Sequence, residues 1–337
     1  MTPKARRAAR IFLLVLLVTS AACAPRLAPP GPGATAPSLE GESLVTYDGL
    51  ELPLRAWLPA TNPPKAVILG LHGFNFYSRI FEEPGKFWAE RGIATYAYDQ
   101  RGFGAAPHRG LWAGTDVMIA DVKAAVEALG ARHPGTPIYL VGDSMGGALA
   151  LAAATDPAPP PLAGVVLVAP AVWARETMPL SYRAALWIAA HSFPWLPVSG
   201  RGLKIQASDN IEMLYALGRD PLIIKETRVD AIHGLANLMD LALARAPQLE
   251  TPALLLYGAK DQVVPRKPTR ALWRSLPEAA NGRQRRALYA TGWHLLLRDL
   301  QAELVLNDIV HWIGDPTTPL LSGAETRALE RLDEEVE

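Results

Sequence analysis

Apolar positions in this chain come in short runs of strand length, separated by longer mixed stretches. Continuous runs fall at residues 66–71, 93–98, 137–141, 164–168 and 253–257, and a short strand-like stretch at 286–290. Unbroken apolar character, rather than alternation, is what a strand covered on both faces shows. The mixed segments predict helices over 80–91 and 116–132, the latter with Thr115 as N-cap. A small-residue helix is expected over 147–152, and another from beyond residue 294 to about residue 313. Residues 43–58 read as a hairpin turning at Asp48-Gly49. Strands alternating with helices predict an α/β fold, a mostly parallel central sheet with helices on both faces, over residues 43–171 and 249–316.

Residues 172–248 break this alternation. No clear strand pattern occurs there, and Pro179, Pro194, Pro197 and Pro221 divide the stretch, which predicts a helical cap inserted into the core. Within it, residues 178–198 are rich in large apolar side chains, among them Leu180, Tyr182, Trp187, Ile188, Phe193 and Trp195. Arg183 and three prolines argue against a membrane span. The expectation is a split role, some faces packing on the core and others, with Trp187 and Trp195, lining an acyl-chain pocket.

Chemistry enters where the run at 137–141 ends. Gly142-Asp143-Ser144-Met145-Gly146 follows it, and small residues from Gly147 to Ala152 come next. Strand, sharp turn and closely packed helix are the context of a nucleophile elbow, with glycines two before and two after the serine removing Cβ atoms that would clash. Such a string alone arises by chance in roughly one chain in ten or twenty at ordinary residue usage. Order along the chain carries the argument further. After the run 253–257 comes Gly258, then Asp261 in a loop; after 286–290 comes Gly292-Trp293-His294. Ser144, Asp261 and His294 thus stand in the order nucleophile, acid, base, each beyond the C-terminal end of its own strand. Asp299 and Asp308 are weaker candidates for the acid because both are expected inside the helix after His294. Upstream, the run 66–71 ends in His72-Gly73-Phe74, where an oxyanion loop belongs; Phe74 and Met145 are the expected backbone N–H donors.

Taken together, His72-Gly73-Phe74, Tyr98-Asp99-Gln100-Arg101-Gly102-Phe103-Gly104, Gly142 to Gly147, Gly258-Ala259-Lys260-Asp261 and Gly292-Trp293-His294 resemble the monoglyceride lipase and lysophospholipase branch of the α/β-hydrolases, also grouped as serine-aminopeptidase-like hydrolases. The resemblance spans roughly residues 43–314. It implies a Ser144–His294–Asp261 triad, oxyanion donors at Phe74 and Met145, and a cap after the sixth strand. One departure is visible: the family's His-Gly-x-Gly-Glu-His reads His72-Gly73-Phe74-Asn75-Phe76-Tyr77 here.

The N-terminus carries Lys4, Arg6, Arg7 and Arg10, then eight apolar residues from Ile11 to Val18, then small residues before Cys23, the chain's one cysteine. These are the parts of an export signal, and the apolar run is too short to span a bilayer. The expectation is a signal over 1–22, lipidation of Cys23 as in bacterial lipoproteins, and a proline-rich spacer over 23–42 holding the enzyme off a membrane. Cleavage after Ala24 is the alternative, leaving a periplasmic or secreted protein. Because Ala24 rather than an aspartate follows the cysteine, the bacterial lipoprotein sorting rule points to the outer membrane in a host with two membranes. Residues 317–337 read as a charged surface tail without chemistry.

Composition excludes more than it selects. Lys plus Arg equals Asp plus Glu at 33 each, so nothing draws the chain to nucleic acid. No metal-ligand spacing or dinucleotide fingerprint occurs, and the expected chemistry needs no cofactor and no metal. The reading is an exported serine hydrolase for medium- or long-chain carboxylic esters, monoacylglycerol or lysophospholipid first, through an acyl-enzyme. A short-chain carboxylesterase or aminopeptidase of the same fold is the alternative within enzymes. A non-catalytic envelope binding module is the alternative outside them.

Overall fold

The computed structural model describes residues 24–277, 284–326 and 328–333. Residues 1–23, with the expected signal and Cys23, lie outside the described residues, as does the end of the C-terminal segment.

In chain order the strands and helices are β1 (Ser38–Glu40), β2 (Ser43–Val45), β3 (Glu51–Trp57), β4 (Ala66–Leu71), α1 (Glu82–Ala89), β5 (Ile93–Tyr98), α2 (Thr115–Arg132), β6 (Ile138–Asp143), α3 (Met145–Ala154), β7 (Gly164–Val168), α4 (Leu180–Ser192), β8 (Pro197–Val198), α5 (Ile211–Arg219), β9 (Thr227–Arg228), α6 (Val229–Arg245), β10 (Ala253–Gly258), α7 (Arg266–Ser275), β11 (Gln284–Tyr289), α8 (Ala302–Gly314) and α9 (Ala328–Asp333). Nine strands form one sheet in the order β1-β2-β3-β5-β4-β6-β7-β10-β11. It is parallel from β5 to β11 and antiparallel from β1 through β3 to β5. Alternate residues of each central strand serve opposite faces. Leu255 and Tyr257 of β10 join the core under α2, α3 and α6, whereas Leu254 and Leu256 join the core under α1 and α8.

Register places the strand ends. Leu71 pairs with Gly142, Asp143 with Val168, and Gly258 with Tyr289. The loops that leave β4, β6, β10 and β11 therefore emerge along one edge of the sheet, the C-terminal edge where open parallel sheets bind ligands.

Several expectations change. α2 begins at Thr115 itself; Gly114 takes the N-cap position at φ 97°, a conformation suited to glycine, and no side chain caps the helix. The helix expected over 80–91 opens as a 3₁₀ turn at Ser78–Phe81. Residues 295–300 form turns before α8, so Asp299 is not helical, although Asp308 is. The cap stretch contains two two-residue strands, β8 paired with β9, and its last helix, α6, buries Leu238, Met239, Ala242 and Leu243 in the core shared with α3. The C-terminal segment is no loose tail. Leu320, Ala324 and Leu332 are buried, Ala324 O accepts Leu288 N–H at 2.9 Å, and Glu325 grips Arg285 through both oxygens at 2.5 and 2.6 Å. It covers the free edge of β11.

The proline-rich stretch also differs from a free spacer. Ala28 N–H donates to Trp112 O at 2.8 Å, Gly33 N–H to Asp48 O at 2.9 Å and Thr35 N–H to Tyr47 O at 2.9 Å. Proline and glycine content misled here because it reports chain stiffness and lack of side-chain bulk, not whether a groove accepts the backbone.

Candidate active site

Ser144 sits between β6 and α3 at φ 51°, ψ −112°, a backbone state that costs energy in any residue with a Cβ. The neighbours hold it there. Ser144 N–H donates to Val168 O at 2.9 Å, and its carbonyl accepts Ala171 N–H at 2.8 Å and Ala148 N–H at 3.1 Å. Close approach explains the two glycines: a Cβ at Gly142 would stand 2.2 Å from Gly146 O, and one at Gly146 would stand 1.9 Å from Leu71 O. Gly146→Ala is accordingly expected to destabilise the fold by more than about 4 kcal/mol, the range reserved for severe backbone conflict. Thermal melting of the purified variant checks this; a melt within a few degrees of the parent would overturn it.

On the neighbouring strands, His294 Nδ1 bonds Asp261 Oδ2 at 2.8 Å, with both side chains buried. Asp261 is itself aimed: its Oδ1 accepts Val263 N–H at 2.7 Å and Val264 N–H at 2.9 Å. The loop before His294 crosses the end of β10 so closely that a Cβ at Gly258 would lie 2.4 Å from Trp293 O. A carboxylate can only accept, so Nδ1 carries the proton and Nε2 is left with its lone pair. Burial works to lower the His294 pKa, but the charge and hydrogen bond of Asp261, with further help from Asp143 and Asp299, outweigh it and leave it raised.

Of the other two acid candidates, Asp308 bonds Tyr289 Oη at 2.8 Å. Asp299 does not reach the imidazole. It accepts Trp293 N–H at 2.7 Å and Ser208 Oγ–H at 2.6 Å, fastening the histidine loop to the cap. Leu295 N–H to Ala207 O at 2.9 Å reinforces the same junction.

Opposite, the loop after β4 lies against the elbow; a Cβ at Gly73 would be 3.4 Å from Ser144 Cβ. His72 pins it. Its Nε2 accepts Gln100 N–H at 3.0 Å, so Nδ1 carries the proton and donates to Gly73 O at 2.9 Å, while Gln100 Nε2–H₂ donates to His72 O at 2.8 Å. Burial pushes the His72 pKa down to about 4, so the ring stays neutral at physiological pH. Among the described residues, no backbone carbonyl takes up the N–H of Phe74 or of Met145. Met145 opens α3, where N–H groups have no intrahelical acceptor. The Phe74 ring is held edge-on to Phe103 at 5.5 Å.

Three residues to which the sequence assigned no role stand at the site. Asn75 and Tyr77, at the site of the motif departure, clasp the cap: Asn75 Nδ2 donates to Thr227 Oγ1 at 2.8 Å and Tyr77 Oη to Asp220 Oδ2 at 2.7 Å. Their only sequence signal was that departure. Asp143, next to Ser144, is buried, and among the described residues neither of its carboxylate oxygens has a hydrogen-bond partner. Burial pushes its pKa up to about 7, against the lowering effect of His294. An acidic residue inside the elbow motif was the available clue.

Between the loop 76–83 and α5 lies a cavity of about 250 Å³, lined by Phe76, Ile80, Met213, Leu217 and Arg298 among others. A larger cleft of about 710 Å³ runs along β3, away from Ser144. Trp187 and Trp195 border neither. They are 61% and 47% exposed: α4 packs Leu186 against the core and buries Ala190 while Trp187 stands on its exposed side, and Trp195 lies in the loop that follows the helix.

Against known proteins, the pattern of the serine aminopeptidase S33 family matches residues 62–301. The chain is 28% identical to human (Homo sapiens) monoglyceride lipase over 281 residues, covering 81% of this chain and 90% of that protein. It is 25% identical to the monoacylglycerol lipase of Mycolicibacterium smegmatis over 276 residues, covering 80% of this chain and 95% of that one. The crystal structure of the Paleococcus ferrophilus monoacylglycerol lipase superposes with a TM-score of 0.66 at 23% identity, over 79% of this chain and all of that one (100%). At that identity the superposition bears on the fold alone.

Proposed function

The chain belongs to the serine aminopeptidase S33 family and is an ester hydrolase of the α/β-hydrolase fold; from that premise we propose that it hydrolyses monoacylglycerol or a similar single-chain lipid ester through Ser144, His294 and Asp261. In this reading His294 Nε2 takes the Ser144 proton as Oγ attacks the ester carbonyl. The oxyanion is met by the N–H groups of Phe74 and Met145. His294 then protonates the leaving alcohol, and a water activated by the same nitrogen releases the fatty acid from the acyl-enzyme. The observation that carries it is the 2.8 Å His294–Asp261 bond, standing on the same sheet edge as the strained Ser144. Relatives named for monoglyceride hydrolysis, at 25% and 28% identity, support the substrate class. The test is hydrolysis of p-nitrophenyl esters from acetate to palmitate, with monoacylglycerol and lysophosphatidylcholine alongside. Preference for medium or long chains and release of free glycerol are expected. A preference for acetate with no action on monoacylglycerol would instead favour a short-chain esterase.

A pH dependence follows. The base must be unprotonated, and the His294 pKa is raised above the ordinary 6.5, so kcat/KM is expected to fall with acid at a midpoint above that value. Asp143 is one of the charges that raise it. Asp143→Asn should therefore move the midpoint to lower pH; a midpoint that stays put overturns this electrostatic account.

For location, the reading is export and lipid anchoring at Cys23. No described helix is long and apolar enough to cross a membrane. Intact mass of protein purified from membranes, compared with Cys23→Ser, tests it; a chain beginning at Pro25 in the soluble fraction would favour the secreted or periplasmic alternative.

A further inference from the structure

We propose that residues 26–35 are a rigid bracket rather than a tether, and that they set the anchor at Cys23 and the apolar outer face of the cap against one and the same lipid surface. This rests on the anchoring proposed above.

The bracket is bonded along its length. Besides the backbone bonds of Ala28, Gly33 and Thr35, Arg26 N–H donates to Asp230 Oδ2 at 3.2 Å and Gly31 N–H to Asp48 Oδ2 at 2.7 Å. The seat is tight: a Cβ at Gly31 would stand 2.4 Å from Asp48 O. Asp48 is in turn clamped by buried Arg101, which spans Asp48 and Asp121 with bonds of 2.6 to 2.8 Å. Free linkers need neither a residue without Cβ nor a bonded carboxylate.

Where the bracket starts decides what it does. Asp230, which holds Arg26, is buried, paired with Arg228, and donates its own N–H to Pro194 O at 2.9 Å; Val229 N–H donates to Leu196 O at 3.0 Å. Arg26, the start of the bracket, is therefore held at the root of the 193–198 loop. Cys23 lies three residues before Arg26, a reach of about 10 Å when fully extended. A flexible spacer over 24–39 would instead wander about 20–24 Å from its attachment with no fixed direction.

The surface it meets fits a bilayer. Ile188, Phe193 and Leu203 are 56%, 55% and 65% exposed, and Leu180, Trp187, Trp195 and Ile205 are exposed beside them in the chain. Soluble domains rarely leave so many large apolar groups in water without a partner. Between Thr177 and Ser208 the chain has no acidic residue, while Arg183, Arg201 and Lys204 are basic and exposed. A stretch of exposed apolar side chains with cations and no carboxylate among them suits an interface of acyl chains and anionic headgroups.

The test uses the full lipidated chain, purified from membranes, and vesicles of phosphatidylglycerol and phosphatidylcholine. Amide hydrogen exchange is expected to be at least about 100-fold slower than a free chain at Ala28, Gly33 and Thr35. Vesicles should slow exchange in residues 186–205. The combined variant Ile188→Ser, Phe193→Ser, Leu203→Ser should lose that vesicle-induced protection and about tenfold of its activity on vesicle-borne monoacylglycerol, yet hydrolyse p-nitrophenyl butyrate as before. Bracket amides at free-chain rates beside a lipidated Cys23 would overturn the bracket itself. An unlipidated Cys23 would overturn the anchor on which the proposal rests. Cap protection that follows protein concentration, with a dimer in sedimentation, would assign the face to a second copy of the chain and overturn the lipid surface.

Discussion

Ser144→Ala is expected to leave a folded protein whose ester hydrolysis is lower by about 10⁴- to 10⁶-fold, as when members of a catalytic triad are removed singly. Folding should survive because every bond that holds the elbow at this residue is made by its backbone: the N–H to Val168 O and the carbonyl to Ala148 and Ala171. Alanine keeps those bonds and carries the same Cβ through the same positive φ. Only the hydroxyl goes. Labelling by a fluorophosphonate should disappear with it, which separates loss of the nucleophile from loss of the fold. Retention of more than about one part in a hundred of the activity would place the nucleophile elsewhere.

Asp261→Asn is expected to lower kcat by about 10⁴-fold with the structure preserved. The reason lies in how Asp261 is held. Its Oδ1 accepts two backbone N–H groups, from Val263 and Val264, and an asparagine must keep its single oxygen there. The amide nitrogen then faces His294 Nδ1 and donates to it. Nδ1 loses its proton, Nε2 gains one, and the nitrogen that should accept the Ser144 proton is blocked. Asp299→Asn is the control. Asparagine oxygen can keep accepting Trp293 N–H, and the Ser208 hydroxyl can turn to accept from the amide, so the loss should stay under about tenfold. The opposite ranking in one assay would move the acid to Asp299.

These two carboxylates show where sequence reading stops. Asp261 ranked first because it follows a strand and a glycine, and Asp299 ranked lower because it was expected within a helix. In the structure Asp261 is the one of the two that bonds His294, but the reason given for Asp299 does not hold: that residue lies before α8, outside any helix, and is occupied by Trp293 and Ser208. Asp143 was passed over altogether. Nothing local in a Gly-Asp-Ser string tells whether the acid faces water or is buried without a partner. Trp187 and Trp195 marked the cap as apolar, yet the exposure of Trp187 depends on which face of α4 meets the core, the face that carries Leu186, and Trp195 falls in the loop after that helix.

What the sequence determined by itself is the frame: the central strands, to within a residue or two at their ends, the elbow, and the order of Ser144, Asp261 and His294. Strands covered on both faces must be apolar throughout, and the tight turns at their ends must contain glycine, so both leave local marks. What only the tertiary structure decided is every partnership across the chain. Asp261 meets His294, Asn75 meets Thr227, residues 26–35 lie along the domain instead of hanging free, and the C-terminal segment seals β11. Such contacts join residues far apart in the chain, and a polar side chain or a proline-rich backbone carries no local sign of what it will touch. Packing selects among the partners that the local pattern leaves equally open.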